Sequence, residues 1–357
     1  TATSHHRENR RIDRVVTSPV YWQPAHNAVR PGRGGSPGIP TTNAFVRPAR
    51  SSGMAIGDVE AVEAVPDTYY VDTGMYDTEG YGAVYVIDAD RPALVETGIG
   101  ADREHVLDAI EAAGLAPEEI EVIAVTHVHL DHAGGAGFLA ADCPNASVYV
   151  HGIGAPHLVD PTRLWEGTKA AVGGQIEYYV EPRPVPKERV VELEDGDEID
   201  LGDRRLCAHH APGHAPHQVV FHQPGADAVF VGDAAGLYVP ERDVAYPTSP
   251  PPNFDLAAAI EDTETIAGLD PETLLYTHFG PAGGDGGSDP GVLLSAYAER
   301  LRGWVDRVER AHDELGDADA VVERFLDETD LAEVWGEKKT RYEMALNVRG
   351  VLRFLGR

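Results

Sequence analysis

"THVHLDHAGG", residues 126–135, sets His127, His129, Asp131 and His132 within six positions and follows them with two glycines. The run "EVIAVT" at 121–126 is short, apolar and β-branched, which predicts a buried strand delivering His127 at its C-terminal end. A solvated loop has no need of so many imidazoles, and a packed core does not tolerate them unpaired. A shared partner that is not protein accounts for the crowding. Gly134 and Gly135 then let the backbone turn tightly beside it.

Three later stretches repeat the pattern of a short apolar run ending in His or Asp with Gly or Pro nearby. They are "APGH" with His214, "FVGDAAG" with Asp233 and "LLYTHFG" with His278. Strand ends gather at one edge of a sheet, so these loops are expected to meet. Together the four pieces offer five imidazoles and two carboxylates. Neutral imidazole is the usual zinc ligand and an aspartate can bridge two cations, so the set suits two neighbouring divalent ions, zinc first, with iron or manganese as alternatives.

The rest of the chain alternates strands and helices from Met54 onward. "VEAV", "TYYVDTG" and "GAVYVIDADRPALVETG" read as strands, 102–114 as an amphipathic helix, and "SVYV" at 147–150 as a further strand with small helices near 153–172. "RVVELEDGDEIDLGDRRLCAHHA" reads as a hairpin, followed by strands "QVVFH", "AVFVGD" and "TLLYTH" and a helix near 255–268. Residues 290–314 and 318–357 have helical patterns. The expectation is one α/β domain over 54–288, a helical C-terminal extension over 289–357, and a disordered basic segment over 1–53 rich in Arg, Pro, Gly and Ser.

Charge is unevenly spread. Eight arginines against Glu8 and Asp13 give residues 1–53 a net +6, which leaves −36 on residues 54–357 of a total of −30. Only four lysines occur among 29 basic residues. An acidic, lysine-poor surface is the composition of salt-adapted cytoplasmic proteins, whose self-repulsion is screened once the Debye length falls to about 3 Å near 1 M salt. Such a body is a poor partner for nucleic acid or anionic lipid. Two cysteines, Cys143 and Cys207, suit a reducing compartment, and no apolar run reaches the roughly 18 residues of a membrane helix.

On these motifs the sequence resembles the metallo-β-lactamase superfamily. "THVHLDHAGG" matches its HxHxDH signature, and "PGHAPH", "GDAAG" and "THFG" follow in the order of its later metal motifs. The resemblance covers about 70–300 and implies a four-layer αβ/βα sandwich with the site at one edge of two sheets. It also implies His127, His129 and His214 on a first metal, Asp131, His132 and His278 on a second, and Asp233 bridging them. Asp131 is in addition the expected catalytic group, orienting a metal-bound hydroxide for attack on a carbonyl; two cations lower the pKa of such a water from 15.7 to near ~7.

Within the superfamily the motif and compact length resemble the hydroxyacylglutathione hydrolase and lactonase branches, implying hydrolysis of an ester, thioester or lactone of a small molecule. An iron-dependent persulfide dioxygenase is the alternative, and a metallo-nuclease is disfavoured by the −36 body. No serine or cysteine nucleophile is required by this chemistry. Around the site, His209, His210 and His217 are read as ordinary hydrogen-bonded histidines or supports for a ligand. Cys207 is expected in the core and Phe279 as a pocket wall. Tyr238 and Tyr246 are candidates for packing or proton donation, and the C-terminal helices for completing the core or covering the site.

Overall fold

The computed structural model describes residues 54–284 and 287–357, so the expectation for 1–53 lies outside the described residues. The first sheet holds β1 (Val59–Ala61), β2 (Thr68–Asp72), β3 (Ala83–Ile87), β4 (Ala93–Val95), β5 (Val122–Ala124), β6 (Ser147–His151) and β7 (Val190–Leu193), side by side in that order. β1 to β4 pair antiparallel, and β4 to β7 parallel. Parallel neighbours need crossovers. These are α1 (Arg103–Ala112), then α2 (Leu130–Ala133) and α3 (Ala136–Asp142), then α4 (Ala155–Val159) and α5 (Thr162–Val172).

The chain then enters a second sheet through β8 (Glu198–Asp200), β9 (Arg205–His210), β10 (Val219–Gln223) and β11 (Ala228–Gly232). A ribbon of β12 (Leu237–Val239) and β13 (Val244–Tyr246) and the helix α6 (Leu256–Gly268) precede β14 (Thr273–Tyr276) and β15 (Gly280–Gly283). The order across this sheet is β15-β14-β11-β10-β9-β8, with β11 and β14 parallel. Three helices finish the chain: α7 (Pro290–Leu315), α8 (Ala318–Glu328) and α9 (Ala332–Phe354). None of the described helices is long and apolar enough to cross a membrane.

Side-chain alternation builds the layers. In β3, Ala83, Tyr85 and Ile87 face the second sheet while Val84 and Val86 face α1 and α3; in β11, Ala228 and Phe230 face inward while Val229 and Val231 face α6 and α7. Strands buried on both faces read as unbroken apolar runs, which is why these were legible. α7 begins at an Asp289 cap that accepts from Val292 N at 3.1 Å, with Pro290 in its first turn, and stops at left-handed Gly316. Its stripe of Leu294, Tyr297, Leu301, Trp304 and Val308 joins one apolar cluster with α6, α8, α9 and the outer face of the second sheet. The result is a four-layer αβ/βα sandwich.

Three readings need correction. The stretch 189–211 is not one hairpin: β7 joins the first sheet beside β6, and the hairpin is β8–β9, turning at Gly202 with φ +87°. Cys207 is half-buried on the outward face of β9, with Glu198 Oε1 3.8 Å from its thiol, because alternation gives the inward positions to Leu206 and Ala208. Phe279 is 2% exposed between the sheets, edge-on to Tyr70, and does not line the cleft over the histidines.

Candidate active site

At one edge of the sandwich the strand ends converge. β5 leads into His127, His129, Asp131 and His132; the β9–β10 turn carries His214; β11 ends at Asp233; β14 ends two residues before His278. The motif loop is held by close backbone contact with the segment after β4. Thr97 donates to His132 O through both N at 2.9 Å and Oγ1 at 2.6 Å, and Gly135 N donates to Gly98 O at 3.0 Å. A Cβ on Gly134 would lie 2.3 Å from Leu130 O, and one on Gly135 2.2 Å from Thr97 O, so both positions require glycine for space.

All seven residues named from the sequence meet here. His127, His129 and His214 form one group of donor atoms within 4.8 Å of one another, His127, His132 and Asp233 a second, and Asp131, His132 and His278 a third. His129 Nδ1 stands 3.0 Å from both His127 Nε2 and His214 Nε2. Asp233 turns Oδ2 toward His214 Nε2 at 3.3 Å and Oδ1 toward His132 Nε2 at 3.3 Å and His278 Nε2 at 3.7 Å. Each carboxylate oxygen thus faces a different cluster of imidazoles.

Around them lies a shell of fixed partners. His132 Nδ1 meets Glu96 Oε1 at 3.1 Å, and His278 Nδ1 donates to Tyr81 O at 2.8 Å, which leaves both Nε2 atoms facing the cluster. Glu96 Oε1 also accepts from Thr277 Oγ1 at 3.1 Å and from the Thr126 hydroxyl. Thr126 Oγ1 is 3.1 Å from His127 Nδ1. Tyr76 Oη lies 3.3 Å from Asp131 Oδ2 and 2.5 Å from Tyr179 Oη. From α9, Lys339 Nζ pairs with Glu343 Oε2 at 2.6 Å over the rings of Tyr76 and Tyr81, and Tyr81 Oη donates to the same carboxylate at 2.7 Å.

Electrostatics follow the geometry. Burial, with His132, His129 and His214 nearby, holds His127 well below the ordinary histidine range. Burial takes His214 down to about 3 against the pull of Asp233. Burial works to raise Asp233, but His132, His214 and His278 outweigh it and hold its carboxyl well below the usual range. His132 goes the other way: burial disfavours its charge, and Asp233 and Glu96 more than compensate. Tyr76 and Tyr179 are pushed well above the usual phenol range, chiefly by burial and then by Asp131.

These residues fit divalent cations. His132 Nε2 and Asp233 Oδ1 are buried and face each other at 3.3 Å without a well-formed hydrogen bond, which is costly unless something else satisfies them. The single Nδ1 of His129 faces two imidazole nitrogens, so one proton cannot serve both well. Glu96, Tyr76, Tyr81, Tyr179, Lys339 and Glu343 were not singled out from the sequence. Of these only Glu96 carries a local signal, an acid at the end of the apolar run "ALV" and followed by "TG", the pattern that marked Asp233. His217, buried at 8% exposure and taken by burial to about 2, accepts from Val128 N at 3.4 Å; His210 Nε2 meets Pro216 O at 2.9 Å. Tyr238 stacks on Tyr276 and donates to Asp243, away from the histidines.

Comparison with known proteins agrees with this architecture. Over 168 residues the chain is 30% identical to the metallo-beta-lactamase fold-containing protein ST1585 of Sulfurisphaera tokodaii, 46% of this chain and 62% of that protein. It is 26% identical over 182 residues to the acyl-coenzyme A thioesterase MBLAC2 of Gallus gallus, 46% and 61% of the two chains. A hydroxyacylglutathione hydrolase of Maricaulis maris is 28% identical over 161 residues, 44% and 48%. The chain therefore spans about three fifths or less of the length of these relatives. The crystal structure of ST1585, an archaeal superfamily protein from Sulfolobus tokodaii, superposes with a TM-score of 0.60 at 22% identity, covering 80% of this chain and 97% of that one, a likeness of fold. The family model of the metallo-beta-lactamase superfamily matches residues 77–278, more than half of the sequence, and the chain belongs to that superfamily.

Proposed function

We propose that the protein is a two-metal hydrolase that cleaves an ester, thioester or lactone of a small molecule. The observation that carries this reading is the presence of two donor groups, His127–His129–His214 and Asp131–His132–His278, with Asp233 facing both. Zinc is the cation proposed, since imidazole dominates the set. When bound, two such ions supply Lewis acidity, making water ionise near neutral pH and polarising a carbonyl.

The remaining roles belong to the chain. Asp131 orients the attacking water by accepting one of its hydrogens. Tyr76 and Tyr179 stay protonated and offer hydrogen bonds beside Asp131 where negative charge develops. Glu96 and Tyr81 O fix the rings of His132 and His278. In the overall reaction the water oxygen bonds to the acyl carbon, the C–O or C–S bond breaks, and the departing oxygen or sulfur takes up the proton that water gave. Named relatives that are a thioesterase and a hydroxyacylglutathione hydrolase support this class of bond. Two donor groups rather than one weigh against a single-iron dioxygenase.

The test is metal quantification on the purified protein, with thioesters, lactones and phosphodiesters assayed in high salt. Two zinc ions and ester or thioester turnover are expected, and Asp233→Ala should lose most metal and all turnover. A single iron with oxygen uptake, or phosphodiester cleavage alone, would overturn the reading.

A further inference from the structure

The cleft directly over the histidines measures about 70 Å³. A cavity of about 150 Å³ takes one benzene ring, so this space holds roughly three heavy atoms of a substrate, a carbonyl and one methyl group. Its inner end is shut. Leu237, Thr248, Tyr81, Lys339 and Glu343 line it there, and all are buried. Leu237 and Glu343 stand between the cleft and an aromatic cavity of about 420 Å³ between α7, α8 and α9, so the cleft does not extend that way.

The other end opens between α5 and α9, which lie side by side. Apart from His129, Asp131 and Tyr179 at the reacting end, the half-buried lining residues are Thr168, Ala171 and Val172 of α5, Leu346 of α9, and Pro251 from the loop before α6. None of these five carries a charge, on a body whose residues 54–357 carry −36. Lys339 is the one lysine or arginine lining the cleft among the described residues, and Glu343 holds it at 2.6 Å. Beyond the rim, Arg341 and Arg349 of α9 pair with Glu323 and Asp319. A phosphate or carboxylate on the substrate therefore finds no free cation at the mouth, whereas methylenes laid on Val172 and Leu346 leave water.

We propose that the substrate is an ester or thioester joining an acyl group of about two carbons to an uncharged, apolar alcohol or thiol that lies across the mouth on Val172, Leu346 and Pro251. The inference rests on the hydrolase reading above and narrows its substrate class. Product release sets the orientation. The acid is an anion and stays with the cation-binding end; the alcohol or thiol has no such tie and leaves first, which it can do only from the open side. A longer acyl chain would have to displace buried Leu237 or Thr248.

The test uses the zinc-loaded full chain in high salt with methyl acetate, hexyl acetate and methyl heptanoate, the last two being isomers. With one water, each gives its acid anion, its alcohol and one proton. The kcat/KM should rise about tenfold or more from methyl to hexyl acetate, the gain from several half-buried methylenes. It should fall about tenfold or more from methyl acetate to methyl heptanoate, whose chain overfills the inner end. An arm of the same kind ending in a carboxylate, as in 6-acetoxyhexanoate, should lose the gain. Val172→Asp should cut the hexyl-to-methyl ratio about tenfold. Without turnover, calorimetric titration of the metal-free chain should find N-hexylacetamide bound about tenfold more tightly than its isomer N-methylheptanamide, and Val172→Asp should bring the two level. Methyl heptanoate cleaved as fast as hexyl acetate, with the amides bound alike, overturns this inference and leaves the hydrolase. No ester or thioester cleaved, with N-hexylacetamide still preferred, overturns the hydrolase and leaves the one-sided cleft; with the amides bound alike it overturns both.

Discussion

Glu96→Gln isolates how much the site depends on a charge that touches no substrate. Glu96 is 1% exposed, and one of its oxygens serves His132 Nδ1, Thr277 Oγ1 and the Thr126 hydroxyl. Gln keeps the length and one acceptor but turns charge-assisted bonds into neutral ones. A hydrogen bond to a charged group contributes about 1.5–3 kcal/mol and a neutral one about 0.5–1.5 kcal/mol, so the bond to His132 should weaken by roughly 1–1.5 kcal/mol. About 1.4 kcal/mol is a factor of ten, and losing the outer partner of a metal-binding histidine typically costs 10–100-fold in affinity or activity, a range that includes this figure. The variant should therefore bind zinc about 10–100-fold more weakly in competition with a chromophoric chelator. Its kcat/KM should fall alongside and recover in part at saturating metal. Zinc affinity within about twofold of the parent would refute the assigned role of Glu96.

Asp262 gives a pH signature: burial pushes its carboxyl up to about 7, while Gly213 N, donating at 2.7 Å, pulls the other way. The folded pKa exceeds the unfolded value near ~4, so this group's contribution to stability is whole below that pH and is lost as pH rises through about 7. Asp262→Asn keeps an acceptor and cannot ionise; thermal melts should show it about 4 kcal/mol more stable than the parent at pH 8 and equal near pH 4, and a pH-independent difference would contradict this. Lys339→Met leaves Glu343 charged and buried without its partner, and urea unfolding should register a loss of about 3–5 kcal/mol. Raising potassium chloride from about 0.1 to 2 M should raise the melting temperature, because −36 on residues 54–357 repels itself less as the Debye length shrinks; a flat or falling trend would remove the salt-adapted reading of the composition.

The seven clustered side chains were legible because each sits within a few residues of an apolar run or in the tight motif itself. Local pattern therefore carries both the strand and the group at its end. Glu96 obeys the same rule and could have been found by it. The hairpin misreading has the opposite cause. Residues 189–211 alternate equally well as one hairpin or as strands of two sheets. What decides is the distant pairing of Val190–Leu193 with Val148–His151, a contact that no window of the sequence contains.

Lys339 and Glu343 show the same limit at the site. In "EKKTRYEM" they are an i, i+4 pair of the kind that lines exposed helices, and an acidic, lysine-poor protein makes a solvated reading of either more natural still. Yet the side chain of Lys339 is 4% exposed and that of Glu343 11%. Tyr81, some 260 residues away in sequence, donates to the carboxylate, and Asn347 Nδ2 donates to its other oxygen at 2.6 Å. Removing two charges from water costs several kcal/mol apiece, and a methionine and a leucine would fill the same space without that cost. The polar contacts tie α9 to the segment before β3 and put a net-neutral ion pair between the histidines and the aromatic cavity. A methionine and a leucine there would leave the Tyr81 hydroxyl and the Asn347 amide without their acceptor, so the pair holds α9 in place by satisfying groups that an apolar wall would strand.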